Sequence, residues 1–103
     1  MFENIKLNYL YRDGGNYKQF GSVTFLNKSG ISPEKATELL LEKLISSDFF
    51  VAEDWKLPRL HKFPYDPEID HNYHQFESFE FTQDQFDDER EIAYFLNIIK
   101  KGI

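Results

Sequence analysis

Two runs of alternating residues decide the fold. They lie in the stretch IKLNYLYRDGGNYKQFGSVTF, which extends from Ile5 to Phe25. Apolar or small residues fill every second position from Ile5 to Tyr11 and from Gly21 to Phe25, the period typical of strands with one buried face. The Asp-Gly-Gly-Asn segment between the runs has turn chemistry. The stretch therefore predicts an antiparallel hairpin with a loop of about five residues, and Gly21 indicates a bulge or a close neighbour.

Two helices are predicted after the hairpin. The first begins at Ser32, whose hydroxyl can cap it, and has a proline at its first helical position. We expect it to end near residues 46–47. The second is predicted from a cap at Thr82 or Asp84 to a stop at Gly102, because apolar residues recur at helical spacing and two lysines lie near its C-terminal end.

Two further strands are predicted. Phe49–Ala52 is short and apolar on both faces, which favours a central strand, and a second strand extends from about Gln75 to Thr82. Residues 53–74 between them have no strong period, and we expect an ordered loop anchored by aromatic side chains. The order β-β-α-β-β-α predicts one α+β domain over residues 1–103, a two-layer fold. It would have an antiparallel or mixed sheet of about four strands and both helices on one face.

The negative charge is unevenly distributed. The formal net charge is −6; residues 1–62 carry nine Lys/Arg and eight Asp/Glu, whereas residues 63–103 carry three and ten. An acidic second half argues against duplex DNA as a partner, because DNA binding needs a basic face that releases counterions. It permits a basic partner protein, a second copy of the chain or a cation. The alternative interpretation is a solvated acidic surface that aids solubility.

Composition also limits the compartment and the cofactors. The chain has no cysteine, which excludes disulfides and thiolate metal sites. Its N-terminal residues have neither a basic head nor a following apolar run, so no signal peptide is predicted. The apolar runs are far shorter than the roughly 20 residues that a membrane helix needs. We therefore expect a cytoplasmic protein with no cofactor and no membrane contact.

The densest group of potential metal ligands lies between residues 66 and 77. Asp70, His71 and His74 carry the carboxylate and imidazole groups that bind zinc, iron or manganese. The two histidines would converge on a helical turn but would lie on opposite faces of a strand, so the sequence leaves their geometry open. A small metal-dependent or His/Asp hydrolase that uses this group together with Asp66 is the alternative function.

The favoured function is a non-enzymatic protein-interaction module. The expected contacts are aromatic, cationic and acidic side chains of the long loop and its end, of the types that are common at binding hot spots. For the tryptophan among them, a place in the core under the loop is the other interpretation. The predicted contact residues are Trp55, Arg59, Tyr65, Asp66, Asp70 and Tyr73.

A third interpretation places single-stranded nucleic acid on the hairpin. Tyr9, Tyr11 and Tyr17 lie near several lysines and arginines, a composition that can form a basic strip with stacking rings. The same tyrosines could instead face the core from the inner side of the sheet. The second arrangement is the favoured one.

The opening of the chain resembles that of a group of small bacterial proteins. Tyr9–Lys18, with the motif YLYRDGGNYK, and the following Gly21–Phe25 are similar to the start of small uncharacterised bacterial proteins of about this length. Phe49–Val51 and His74–Glu77 are similar as well. The resemblance implies a bacterial, cytosolic origin, and it carries over no catalytic residue.

Overall fold

The fold is α+β, with a five-stranded mixed sheet and two helices. The computed structural model describes residues 3–12, 18–45, 48–58, 60 and 73–99. The sheet order is β3-β4-β1-β2-β5, and within it only β2 and β5 pair in parallel. In chain order the elements are β1 (Asn4–Arg12), β2 (Lys18–Leu26), α1 (Pro33–Leu41), β3 (Phe49–Val51), a short 3-10 helix (Ala52–Trp55), β4 (Tyr73–Thr82), β5 (Asp88–Glu91) and α2 (Ile92–Ile98).

The predicted hairpin is confirmed. β1 and β2 pair antiparallel, from Ile5 opposite Phe25 to Arg12 opposite Lys18. The prediction of a close neighbour at Gly21 is also confirmed, because a Cβ atom at this position would lie 2.5 Å from Cδ2 of Leu60. Glycine is therefore suited to this position in β2 because it leaves room for a side chain that packs across the strand.

The two faces of the sheet differ as the alternation predicts. The inner face carries Ile5, Leu7 and Tyr9 of β1, each at most 1 % exposed, whereas the outer face carries Lys6 and Asn8. Residues directly opposite one another on antiparallel strands share a face. Burying each large apolar side chain contributes about 1.5–3 kcal/mol to folding. Both helices contribute to the same buried cluster as the inner face, through Ala36 and Leu40 of α1 and Ile92, Phe95 and Leu96 of α2.

The start of α1 is confirmed and its end is earlier than predicted. The Ser32 hydroxyl accepts the Lys35 backbone N–H at 3.1 Å, which caps the helix. The helix ends at Leu41 instead of continuing to residues 46–47. The chain turns there because the Ile45 backbone N–H donates to the carbonyl of Phe49 at 2.7 Å, which brings it into a bridge beside β3.

The prediction of a central strand at residues 49–52 is wrong. β3 is an edge strand whose three residues, Phe49–Val51, have β4 as their only neighbouring strand in the described part of the chain. Phe50 points inward and is 1 % exposed, whereas Phe49 points outward and is 37 % exposed. The strand is apolar on both faces because its inward ring fills the core and its outward ring lies beside Tyr73, with ring centroids 6.3 Å apart.

The beginning predicted for the last helix is also wrong. Asp88–Glu91 forms β5 beside the end of β2, which raises the strand count from about four to five. Helix α2 begins only at Ile92, with the Glu91 carboxylate accepting the Ala93 N–H at 3.0 Å. The acidic residues resemble the first turn of a helix, but contacts of β5 with β2 and with Trp55 fix them as a strand.

A short connection joins β4 to β5 across the outer face. β4 runs antiparallel to β1, and β5 runs parallel to β2, which is itself antiparallel to β1. β4 and β5 therefore run in the same direction. Two strands that run in the same direction and follow one another along the chain usually need a connection of a dozen or more residues. Residues 83–87 suffice here because β5 pairs only with the end of β2, and they contact Lys6 and the backbone of Thr24 on the way. The parts of the chain that are described contain no helix with the length and apolar character of a membrane span.

Candidate functional site

Three of the predicted site residues lie in the described part of the chain: Trp55, Tyr73 and His74. Trp55 and His74 are buried, whereas Tyr73 is exposed. The other predicted contacts and ligands fall outside the described residues, and their roles stay predictions. These are Arg59, Tyr65, Asp66, Asp70 and His71.

His74 is a buried member of the aromatic core. It lies on β4 opposite Phe50 and is 1 % exposed. Its Nε2 accepts the Leu60 backbone N–H at 3.0 Å, so this lone pair is not open to a metal ion. Its ring lies 5.3 Å from that of Tyr11 and 5.8 Å from that of Tyr9, centroid to centroid. No group of three potential ligands that could hold a metal occurs within the described segments.

The hairpin tyrosines also belong to the core. Tyr9 and Tyr11 are each 1 % exposed, so their rings do not form a stacking platform for nucleic-acid bases. The Tyr9 hydroxyl donates to the carbonyl of Pro58 at 2.6 Å, and burial raises the pKa of this phenol. The nucleic-acid interpretation is therefore wrong for these two side chains. The Tyr9 hydroxyl instead ties the segment after the 3-10 helix to the sheet, and the Tyr11 ring packs beside His74 of β4.

Trp55 packs in the core. It is 2 % exposed, and its ring stacks on that of Phe50 with centroids 4.5 Å apart and an angle of 6° between the planes. Its edge meets Phe95 of α2 at 6.2 Å. The structure therefore supports the core interpretation of this residue, and its indole does not belong to an exposed contact surface.

Tyr73 lies at the surface, as a contact residue must. It is 45 % exposed at the start of β4, on the outer face beside Phe49 of β3. The two rings form an exposed aromatic pair at one edge of the sheet. Exposed aromatic rings in pairs are typical of interaction surfaces.

The most distinctive charged feature is the connection between β4 and β5. We define the crossover patch as Lys6, Glu80, Asp84, Phe86 and Asp87. Its only ammonium group, that of Lys6, lies 3.0 Å from a carboxylate oxygen of Asp84. The hydrogen bond that Lys6 donates to Asp84 and the charges of Asp84, Glu80 and Asp87 raise the pKa of Lys6. The patch therefore sets three carboxylates against one ammonium, and Phe86, which belongs to the same connection, is 45 % exposed.

Hydrogen bonds hold this patch in place on the sheet. The Asn8 amide donates to the Glu80 carboxylate at 2.8 Å. Asp87 accepts the Thr24 N–H through its carboxylate at 3.1 Å and donates its own N–H to the Thr24 carbonyl at 2.9 Å. The Lys6 hydrogen bond, followed by one from Thr82, lowers the pKa of Asp84, which keeps this carboxylate charged. The geometry thus presents fixed carboxylates instead of a mobile acidic tail.

Sequence reasoning missed this patch although the signal was partly visible. The acidic excess after residue 63 is evident from the sequence, but the predicted last helix, with its cap at Thr82 or Asp84, includes Asp87. The contact of Asp84 with Lys6 depends on the strand order, which no local pattern reveals.

Comparisons with known proteins provide no family for this chain. No family model, no curated protein and no solved structure matches it at a significant level. Among the exposed features of the described residues, the Phe49–Tyr73 pair is aromatic and the crossover patch is charged.

Proposed function

We propose that this protein is a small cytoplasmic interaction module, of bacterial origin, that binds a basic segment of a partner protein through the crossover patch. The observation that carries the proposal is the set of three carboxylates around Lys6, next to the exposed Phe86. The acidic second half of the sequence supports the same partner charge.

The arrangement suits a protein partner because it combines two kinds of contact. Exposed charge pairs individually contribute little affinity, typically about 0–1 kcal/mol. Complementary charge instead steers the encounter and selects among partners. Burial of the Phe86 ring against an apolar side chain of the partner would supply affinity that charge alone does not provide.

The contact residues predicted from the sequence lie in another part of the chain, where they would provide a second contact with the same partner. Tyr73 and Phe49 offer exposed rings at the opposite end of β4 from the crossover patch. Arg59, Tyr65, Asp66 and Asp70 stay proposed contacts of the loop that precedes β4. A second copy of the chain is the competing partner, and the experiment below includes it as an outcome.

The test is affinity capture from an extract of the organism that encodes the protein. The bait variant combines Phe86→Ser with Glu80→Gln, and the matched control combines Phe20→Ser with Glu38→Gln, which makes the same chemical changes at exposed positions elsewhere. We expect the unmodified and control baits to retain the same protein, and the patch variant to retain about tenfold less of it.

The result should also depend on salt, because screening weakens exposed charge contacts. Equal capture by the patch variant, or capture of the protein's own copies alone, would contradict the proposal.

A further inference from the structure

The strand β4 extends well beyond the strand that covers its outer edge. β4 has ten residues, but β3 pairs only with Tyr73, His74 and Gln75. The next N–H, that of Phe76, donates to the Asp48 carbonyl at 3.1 Å. From Glu77 to Thr82, no backbone group in the described part of the chain pairs with β4 on the side away from β1.

An edge of this kind is a template for another strand. Backbone N–H and C=O groups of a strand point alternately to its two sides, so the segment 77–82 offers donors and acceptors on its open side. Natural proteins usually protect such edges, and an edge left open is commonly used for strand addition by a peptide. We call this segment the open edge.

The open edge forms one wall of a groove, and the first turns of α1 form the other. The groove has a volume of about 420 Å³ and two exposed carboxylates, Glu34 on the helix and Glu77 on the strand. The nearest lysine on the helix, Lys35, places its ammonium 3.7 Å from Glu38 instead. The remaining lining residues are Pro33, Thr37, Phe76, Ser78 and Phe79.

We infer that the open edge binds an extended basic segment of a partner protein as a sixth strand. The inference rests on the proposed function for the charge of the partner and extends it to the adjoining edge of the same sheet. Phe79 and Phe81 of β4 lie on the inner face, and Ser78 and Glu80 lie on the outer face. The added strand therefore carries apolar side chains beside the two phenylalanines, of which Phe81 is 44 % exposed. Lysine or arginine alternates with them on the side of Glu80.

A second copy of the chain is a poorer occupant of this edge. Antiparallel pairing of two open edges would bring Glu77 and Glu80 of both copies close together, and like charges across strands are destabilising. A basic strand instead places cations next to these carboxylates. Charge complementarity thus selects the partner segment over self-pairing.

The experiment uses synthetic octapeptides in which lysine alternates with valine, isoleucine or phenylalanine. Each is added to the isotope-labelled full chain, and amide hydrogen exchange is followed by NMR. We expect exchange of the outward amides within Glu77–Thr82 to slow by about tenfold or more. A control peptide of equal charge, methylated at its central backbone nitrogens, should bind about tenfold more weakly because it lacks the donors of the added strand.

A matched pair of protein variants tests the position of the groove. Glu77→Lys should weaken peptide binding by about tenfold, whereas Glu42→Lys, an equal charge change at an exposed position outside the groove, should leave it unchanged. Equal binding of both peptides without slowed exchange would overturn strand addition and leave the proposed function intact. The absence of binding by every octapeptide, or a dimer with protected amides at 77–82, would overturn it as well. Failure of the proposed function is detected separately, in the affinity-capture experiment. There the variant with Phe86→Ser and Glu80→Gln would retain as much partner protein as the unmodified bait.

Discussion

The guanidinium of Arg90 donates hydrogen bonds to the carboxylate of Asp88, two residues earlier. Nη2 lies 2.6 Å from Oδ2, and Nε lies 2.9 Å from Oδ1. The same guanidinium donates to the carbonyls of Trp55 and Lys56, and it lies 4.9 Å above the ring of Phe95. Lys56 has a φ of 56°, a left-handed conformation that costs a non-glycine residue about 1–2 kcal/mol. Arg90 thus joins β5, α2 and the end of the 3-10 helix.

Replacing Arg90 should therefore be costly. Arg90→Met leaves a largely buried carboxylate and two carbonyls without their donor, and we expect a loss of about 2–4 kcal/mol in the free energy of unfolding. Urea unfolding followed by circular dichroism measures this loss. The control is Lys35→Met, whose exposed pair with Glu38 should contribute less than about 0.5 kcal/mol. Equal losses in both variants would show that the Arg90 contacts do not carry this stability.

The Asp88 pair also predicts a pH dependence. Burial acts to raise the pKa of Asp88, but the hydrogen bonds and charge of Arg90 outweigh it and lower the pKa overall. The stabilisation is therefore fully present above the unfolded pKa and disappears as pH falls through the folded one. The stability difference between the unmodified chain and Asp88→Asn should shrink from about pH 5 to about pH 3. A difference that stays constant over this range would contradict the lowered pKa.

Gly21 and Leu60 should be energetically coupled. A Cβ at position 21 would lie 2.5 Å from Leu60 Cδ2, the end of a flexible side chain that can shift, so Gly21→Ala should cost only about 1 kcal/mol through overpacking. In a Leu60→Ala background, Gly21→Ala should cost at least about 0.5 kcal/mol less, because the clash with the Leu60 side chain is gone. A double-mutant cycle in urea measures the coupling. Additive effects would place Leu60 away from β2.

The hydroxyl of Tyr9 should stabilise the segment after the 3-10 helix. Tyr9→Phe removes the donor to the Pro58 carbonyl, and we expect a loss of about 1–2 kcal/mol in unfolding free energy. Tyr94→Phe is the matched control, because Tyr94 is 58 % exposed and its hydroxyl should be dispensable. Thermal or urea unfolding compares the two. Indistinguishable variants would mean that the Tyr9 hydrogen bond makes no net contribution.

Features encoded within a few residues could be predicted from the sequence. The alternation around Tyr9 and the cap at Ser32 are each local, and the structure places the strands and the helix start as expected. Features that depend on strand order could not. Phe49 lies on an edge because β4 lies next to β1, and residues 88–91 form a strand because β2 is available beside them.

The candidate site likewise combines a feature that the sequence predicts with one that depends on strand order. The acidic excess can be counted in the sequence, whereas the approach of Asp84 to Lys6 requires the connection between β4 and β5 to cross the sheet. His74 shows the converse: a residue type suited to metal binding, placed by its strand register in the aromatic core.

The most direct test of the central claim is NMR mapping of the captured partner's basic segment on the isotope-labelled chain. The account predicts that the largest backbone shift changes occur at Lys6 and Glu80–Asp87, and that they diminish as salt rises to about 0.5 M. Changes confined to the surface between the two helices, around Leu39 and Tyr94, and insensitive to salt, would contradict it.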